Sequence, residues 1–364
     1  MGGIVNGKIL LSKKIFSENR YRIFESDDFF VEAWRYPSGI EALTIGNSRG
    51  YLTVLPYMGQ MVWDAVFDGH DLTMKNMFRQ PLPASTIVET YGCYLYHSGL
   101  LRNGCPGEKD DHPLHGEMPC APMDSASLVF GVDEEGAYLR LEGEYEYVMG
   151  FGDHYLASPS IELRPGTGLF DVCMEVSNLG GEDMELMYMC HMNQVFEKGA
   201  ELIQPMPYTP DNVVTRTSVP SHVKPTPEWL QFLDEVAQSP DKMACFSDEE
   251  KYNPEFVFFL RNMAVDQHND THFLMKFVDG SGCYCRYSPL EFDHAVRWVL
   301  SNADQKVAAF ALPATCEPEG YTAEKEKGNI KILQSGQKRI FHVRTGFLSQ
   351  EECTTAEKTI RSLQ

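Results

Sequence analysis

LRLEGEYEYVMGFGDHYLASPSIELRPGTGLFDVCMEV, residues 139–176, is the stretch of sequence that decides the fold. Apolar and polar residues alternate near both of its ends, with the period of two that is typical of strands with one buried face. The apolar members are Leu139, Leu141, Tyr145 and Tyr147 in the first run and Val172, Met174 and Val176 in the second. The Arg-Pro-Gly-Thr-Gly sequence at 164–168 is a turn signal between them. The pattern predicts a meander of antiparallel strands through residues 125–195.

Helical periodicity is scarce outside this region. Thr226 is suited to cap a helix that starts at Pro227, within an insertion at residues 225–240. Ser349 and Glu352 form a capping-box pattern before a helix at residues 349–364. With no dinucleotide or Walker motif and no linker composition, we predict an all-β fold with a few short helices. We expect one domain over residues 1–364, in which residues 1–45 supply N-terminal strands and an edge.

Composition limits the function classes. Apolar residues make up 43% of the chain, which excludes general disorder, and the net charge of −21 disfavours nucleic-acid and membrane-surface partners. No run is long and apolar enough for a transmembrane helix, and the first residues lack the apolar core of a signal peptide, so we expect a cytoplasmic protein. The ten cysteines contain no CxxC pair, and we expect them to be free thiols.

Three places carry candidate chemistry. A loop rich in glycine and proline, residues 99–118, contains His112 and His115, and its histidines could bind a polar ligand, transfer protons or simply tie the loop down. His191 leaves a predicted strand next to Asn193, where spacing alone favours a hydrogen-bonded core histidine. Glu317 follows another predicted strand and is either a turn-capping carboxylate or a rigidly held base.

Four motifs, in this order, resemble landmarks of the aldose 1-epimerase-like proteins of the galactose mutarotase-like superfamily. They are HPLHG at 112–116, YMCHMN at 188–193, CEPEG at 316–320 and GNIKILQSGQKRIFHVRTGFL at 328–348. The resemblance is greatest to the branch described as an aldose 1-epimerase-like domain of unknown function. There, the residues before HPLHG also match, namely Gly99, Leu100, Asn103, Gly104 and Pro106.

The resemblance implies a galactose mutarotase-like β-supersandwich that interconverts sugar anomers without a cofactor. It assigns His191 as general acid on the ring oxygen, Glu317 as general base on the anomeric hydroxyl, and His115 as a binding group near the ring oxygen. Further candidates for sugar contacts are His112, Arg102, Asn103, Asn193 and Trp298. The chain departs from the branch at Met58-Gly59-Gln60, where an arginine often precedes the glycine, so the substrate stays open.

Two other functions remain open at this point. A metal-dependent sugar isomerase or lyase would require His112, His115, His191 and Glu317 to converge on one divalent ion. A non-catalytic carbohydrate-binding protein would keep the cleft and lose the chemistry. In each case the expected partner is a small sugar, with no nucleic acid and no membrane, and assembly into oligomers is left open.

Overall fold

The computed structural model describes residues 6–219, 224–247 and 249–364. The strands in these ranges are β1 (Gly7–Leu10), β2 (Tyr21–Glu25), β3 (Phe30–Arg35), β4 (Glu41–Gly46), β5 (Gly50–Leu55), β6 (Met61–Phe67), β7 (His70–Asp71), β8 (Leu95–Leu100), β9 (Ser125–Asp133), β10 (Gly136–Val148), β11 (His154–Leu163), β12 (Leu169–Asn178), β13 (Met184–Met192), β14 (Glu201–Ile203), β15 (Val213–Thr215), β16 (Phe256–Leu260), β17 (Thr271–Lys276), β18 (Gly282–Tyr287), β19 (His294–Ser301), β20 (Lys306–Ala314), β21 (Lys331–Leu333) and β22 (Lys338–Leu348). The helices are α1 (Pro227–Gln238), α2 (Tyr321–Lys327) and α3 (Gln350–Leu363).

The strands form two large antiparallel sheets. The first sheet has the order β1-β9-β10-β11-β12-β22-β18-β17-β14. The second has the order β15-β16-β19-β20-β13-β8-β6-β5-β4-β3-β2, with β21 beside β13 and β7 beside β6. The main hydrophobic core contains residues of both sheets, such as Leu141 and Ile161 from the first and Val54 and Phe310 from the second. The predicted all-β class is confirmed.

The predicted meander is correct for its first four strands. β9, β10, β11 and β12 are neighbours in chain order, and Leu139, Leu141, Val172, Met174 and Val176 are buried. The prediction is wrong for the last strand, because β13 crosses to the second sheet and pairs with β8. β13 is buried on both faces along most of its length, so its sequence carries no alternation that would place it at the end of a meander.

Both predicted helices are confirmed. The Thr226 hydroxyl accepts a hydrogen bond from the backbone of Trp229 at the start of α1, and Ser349 and Glu352 form the capping box of α3. α2 was not predicted, because its seven residues carry mostly polar side chains and no apolar stripe. At the N-terminal edge, β1 joins the first sheet and β2, β3 and β4 end the second, while residues 1–5 of the expected edge lie outside the described residues.

All ten cysteines are free, as expected. Across the described ranges, none of the helices combines the length and the apolar character needed to cross a membrane.

Candidate active site

A cavity of about 320 Å³ lies on one face of the second sheet, a volume within the range of small-molecule sites. Its floor comes from β16, β19, β20 and β13, which are neighbours in the sheet. Alternate residues of these strands reach it, because successive side chains of a strand point to opposite faces. The floor residues are Val257, Val296, Trp298, Leu300, Leu312, Met189 and His191. Loops supply the walls: Met77, Phe78, Val88, Tyr91, Cys105, Leu114, His115, Arg216, Glu255, Gln305 and Pro318.

His191 lies at the centre of an aromatic cluster. Its ring stacks on that of Tyr96, its register partner on β8, with centroids 4.5 Å apart. The rings of His115 and Trp298 meet it edge-on at centroid distances of 4.8 and 5.9 Å. Burial lowers the pKa of His191 well below its ordinary value, the neighbouring His115 adds to this, and the amide of Asn193 opposes it. His191 is therefore neutral near pH 7.

The tautomer of His115 follows from its hydrogen bonds. Asn103 donates through Nδ2 to the Cys316 sulfur at 3.4 Å, so its Oδ1 accepts from the Ser98 hydroxyl. Because the Ser98 hydroxyl already donates its one proton to Asn103, it can only accept from His115. Nδ1 of His115, 3.0 Å from Ser98 Oγ, is therefore the donor of that hydrogen bond. Nε2 of His115 then keeps its lone pair. Burial lowers the pKa of His115 to about 3, partly opposed by the charge of Glu255.

Two charged residues, Glu255 and Arg216, also line the cavity. Glu255 directly precedes β16, and its Oε2 accepts a hydrogen bond of 2.7 Å from the indole N–H of Trp298. Arg216 follows β15 and pairs with Glu319, whose carboxylate lies 2.7 Å from Nε of the arginine. Tyr91 adds a phenol whose oxygen is 3.5 Å from Nε2 of His191, at the outer limit of a hydrogen bond. The rest of the lining is largely apolar.

Glu317, the base that the resemblance implies, is not among the residues that line this cavity. One carboxylate oxygen accepts from the Arg261 guanidinium and the other from Lys327 Nζ at 2.8 Å. Its backbone N–H donates to Glu324 of α2 at 2.9 Å. Both carboxylate oxygens of Glu317 are therefore engaged in ion pairs, and only the following residue, Pro318, reaches the cavity wall.

His115, His191 and Trp298 thus come together, whereas the other candidates surround the site without lining it. Arg102 stacks on the ring of Tyr321 at 3.9 Å. Asn103 positions Ser98, and Asn193 donates to the backbone carbonyl of Cys93 at 3.0 Å. Nδ1 of His112 lies 2.9 Å from the carbonyl oxygen of Pro113 and so ties down its own loop.

The metal-dependent alternative loses its donor set in this arrangement. His112 and Glu317 do not reach the cavity that holds His115 and His191. Within the ranges that the structure describes, no three histidine, cysteine or carboxylate side chains are grouped closely enough to hold a metal ion. The described residues around His115 and His191 therefore do not fit a divalent cation with imidazole and carboxylate ligands.

Sequence reasoning missed Tyr91, Arg216 and Glu255. Glu255 had a usable signal, since it directly precedes the apolar run FVFFL at 256–260, just as Glu317 follows a predicted strand. Tyr91 and Arg216 lie in segments without periodicity or motif, and nothing in the sequence marks them as neighbours of His191.

Solved structures share this fold at low sequence identity. A Klebsiella pneumoniae protein, provisionally described as an aldose 1-epimerase, is 15% identical with a TM-score of 0.82, over 99% of this chain and 96% of that one. A galactose mutarotase-like protein from Clostridium acetobutylicum is 12% identical with a TM-score of 0.58, over 89% and 100% of the two chains. Another from Lactobacillus casei is 12% identical with a TM-score of 0.51, over 84% and 100%. A search of the curated proteins found no match.

These likenesses identify the fold as that of the galactose mutarotase-like proteins. A family of conserved domains, described as "Domain of unknown function (DUF4432)", matches residues 37–346. This match covers most of the chain and contains every residue that lines the cavity. The protein therefore belongs to the DUF4432 family.

Proposed function

We propose that the protein is an aldose 1-epimerase-type enzyme that interconverts the anomers of a free sugar in this cavity. The observation that carries the proposal is that His191 and a carboxylate, Glu255, both contact the same indole, that of Trp298. An imidazole and a carboxylate at one end of a small cavity are the groups that opening a hemiacetal ring requires. The shared fold of the galactose mutarotase-like proteins supports the same reaction class.

The reaction needs one transferable proton on the pair formed by His191 and Glu255. Ring opening removes the proton of O1 and delivers a proton to O5 as the C1–O5 bond breaks. When the pair starts as imidazolium and carboxylate, it ends as neutral imidazole and carboxylic acid. Rotation about C1–C2 followed by the reverse transfers gives the other anomer and restores the pair. No redox step or group transfer takes place.

The rest of the cavity suits a sugar in two ways. His115 presents its Nε2 lone pair, which can accept a hydrogen bond from a hydroxyl group. Trp298 and Tyr91 offer aromatic faces and edges to sugar C–H groups.

The direct test is NMR saturation exchange between α and β anomers over a panel of aldoses. We expect the wild-type protein to accelerate exchange for at least one sugar, and His191→Asn to abolish the acceleration. His268→Asn, at an exposed histidine, is the matched control and should leave the rate unchanged. If no aldose in the panel exchanges faster than in buffer, the proposal is wrong.

A second function, sugar binding without turnover, is favoured by one observation. Burial holds both cavity imidazoles in the neutral form, which suits hydrogen bonding more directly than proton transfer. Calorimetric binding of a sugar whose anomers exchange no faster than in buffer would establish this function instead.

A further inference from the structure

We propose that Glu255, rather than Glu317, is the carboxylate that takes the proton from the anomeric hydroxyl. This inference rests on the proposed function and names the partner of His191 in it. Glu255 would be a catalytic residue that the family motifs do not mark, since it lies outside each of the motifs that resemble the mutarotase-like proteins.

The backbone of β16 and a hydrogen bond from Trp298 together fix the position of Glu255. It stands directly before β16, where the register pairs Val257 with Trp298, so Glu255 and Val257 are alternate residues at the cavity. The hydrogen bond from the Trp298 indole then holds Oε2 in place at 2.7 Å. The same indole lies edge-on to the rings of His191 and Tyr91, each at a centroid distance of 5.9 Å. Glu255 and His191 are thus held around one rigid ring.

The charge of Glu255 also reaches the other polar groups of the cavity. Burial lowers the pKa of His115, and Glu255 opposes that shift. Burial raises the pKa of Tyr91 well above its ordinary value, and Glu255 is among the smaller causes acting in the same direction. A carboxylate that influences both rings lies within Coulombic range of any sugar bound between them.

Two other carboxylates near the site, those of Glu317 and Glu319, do not line the cavity. A proton on either oxygen of Glu317 would weaken its ion pair with Arg261 or with Lys327. Glu319 lies 2.7 Å from Nε of Arg216 and does not line the cavity. Of the three, Glu255 is the one whose side chain is part of the cavity wall.

The step is balanced in atoms and electrons. The O1 proton moves to the Glu255 carboxylate as the C1–O1 bond becomes a carbonyl. The electron pair of the C1–O5 bond stays on O5, which takes a proton from the imidazolium form of His191. Closure after rotation about C1–C2 returns both protons.

The test compares matched glutamine variants, Glu255→Gln and Glu317→Gln, by anomer exchange and by calorimetric binding of two probes. One probe is the best aldose of the panel, and the other is its 1,5-anhydro analogue, which lacks O1. We expect Glu255→Gln to lower exchange by at least about 100-fold and to abolish the preference for the aldose over the analogue. Glu317→Gln should keep that preference and exchange within about fivefold of wild type. Glu255→Asp, which keeps a carboxylate, should recover part of the exchange rate.

The outcomes separate this inference from the proposed function. Exchange near wild type in Glu255→Gln, or a 100-fold loss confined to a folded Glu317→Gln, would overturn the role of Glu255. If the wild type binds the aldose without exchanging its anomers, the proposed function fails. The calorimetric comparison of the aldose with its 1,5-anhydro analogue then tests whether Glu255 contacts O1. In that case Glu255→Gln must still lose the aldose preference, and a retained preference refutes the inference. Absence of binding to every sugar overturns both.

Discussion

The two cavity histidines differ in what holds them. His115 is anchored through Nδ1 to Ser98 and the amide of Asn103, with a backbone φ of 62°. The ring of His191 lies beside the amide of Asn193, and stacking on Tyr96 positions it. An anchored imidazole with one free lone pair suits binding, which leaves His191 as the candidate for proton transfer.

This difference predicts a ranking of two variants. His191→Asn should lower kcat for anomer exchange by at least about 100-fold, because asparagine can hydrogen-bond O5 but cannot protonate it. His115→Asn should act mainly on KM, since it removes an acceptor for a hydroxyl. Exchange spectroscopy over a range of sugar concentrations gives both constants, and a reversed ranking would exchange the two roles.

The pH dependence of turnover is the second prediction at this scale. The pKa of His191 is lowered below its ordinary value of 6.5, mainly by burial, so the imidazolium fraction grows steadily as the pH falls. We expect kcat/KM to rise from about pH 8 to about pH 5.5 without levelling at neutral pH. If kcat/KM instead stops rising before the pH has fallen to about 7, anomer exchange does not depend on a histidine with a lowered pKa.

Among the structural elements, the segment between β8 and β9 brings His115 into the site. Asp110 in this segment accepts from the backbone and hydroxyl of Thr322, which ties it to α2. Gly116, at φ 80°, follows His115, and a Cβ there would lie 2.0 Å from the carbonyl oxygen of Arg102. The glycine is therefore required both by its backbone conformation and by the close approach of another chain segment.

Gly116→Ala tests this requirement against Gly166→Ala. Gly166 has a similar φ of 65°, but a Cβ there meets nothing within 4 Å. The control should cost about 1 kcal/mol in the free energy of unfolding, from backbone strain alone. Gly116→Ala should cost clearly more and weaken sugar binding, because His115 moves with its neighbour. Urea unfolding and calorimetry measure the two effects, and equal costs would contradict the close-approach argument.

The success of prediction from the sequence also differs from one element to the next. Period-two alternation located β10 and β12 within the predicted meander, and capping residues located α1 and α3, because these signals are local to each element. The sheet position of β13 was predicted wrongly because both faces of the strand are buried. The helix α2 was not predicted because its sequence is short and polar. The resemblance brought His115 and His191 to one place, but local patterns carry no distances between segments, so Glu255 could not be paired with them.

At the scale of the whole molecule, the two-sheet core also buries a histidine away from the cavity. His97 on β8 is fully buried, with Nδ1 2.8 Å from the Tyr188 hydroxyl and no partner for Nε2 among the described residues. Burial lowers its pKa to about 3. The folded core therefore favours the neutral form of His97, and this makes the stability of the protein depend on pH.

The sign of that dependence follows from linkage. The unfolded state binds a proton at His97 near pH 6.5 and the folded state near pH 3, so the stability contributed by neutral His97 is complete above pH 6.5 and is lost as the pH falls through this window. One such histidine lowers the free energy of unfolding by about 2 kcal/mol between about pH 7.5 and about pH 5. His97→Gln should reduce the measured drop by this amount, because other titrating groups cancel in the comparison. His268→Gln, at an exposed site, should not change it. Urea unfolding of the three proteins at both pH values decides the matter, and an undiminished drop in His97→Gln would mean that His97 does not remain neutral in the folded core.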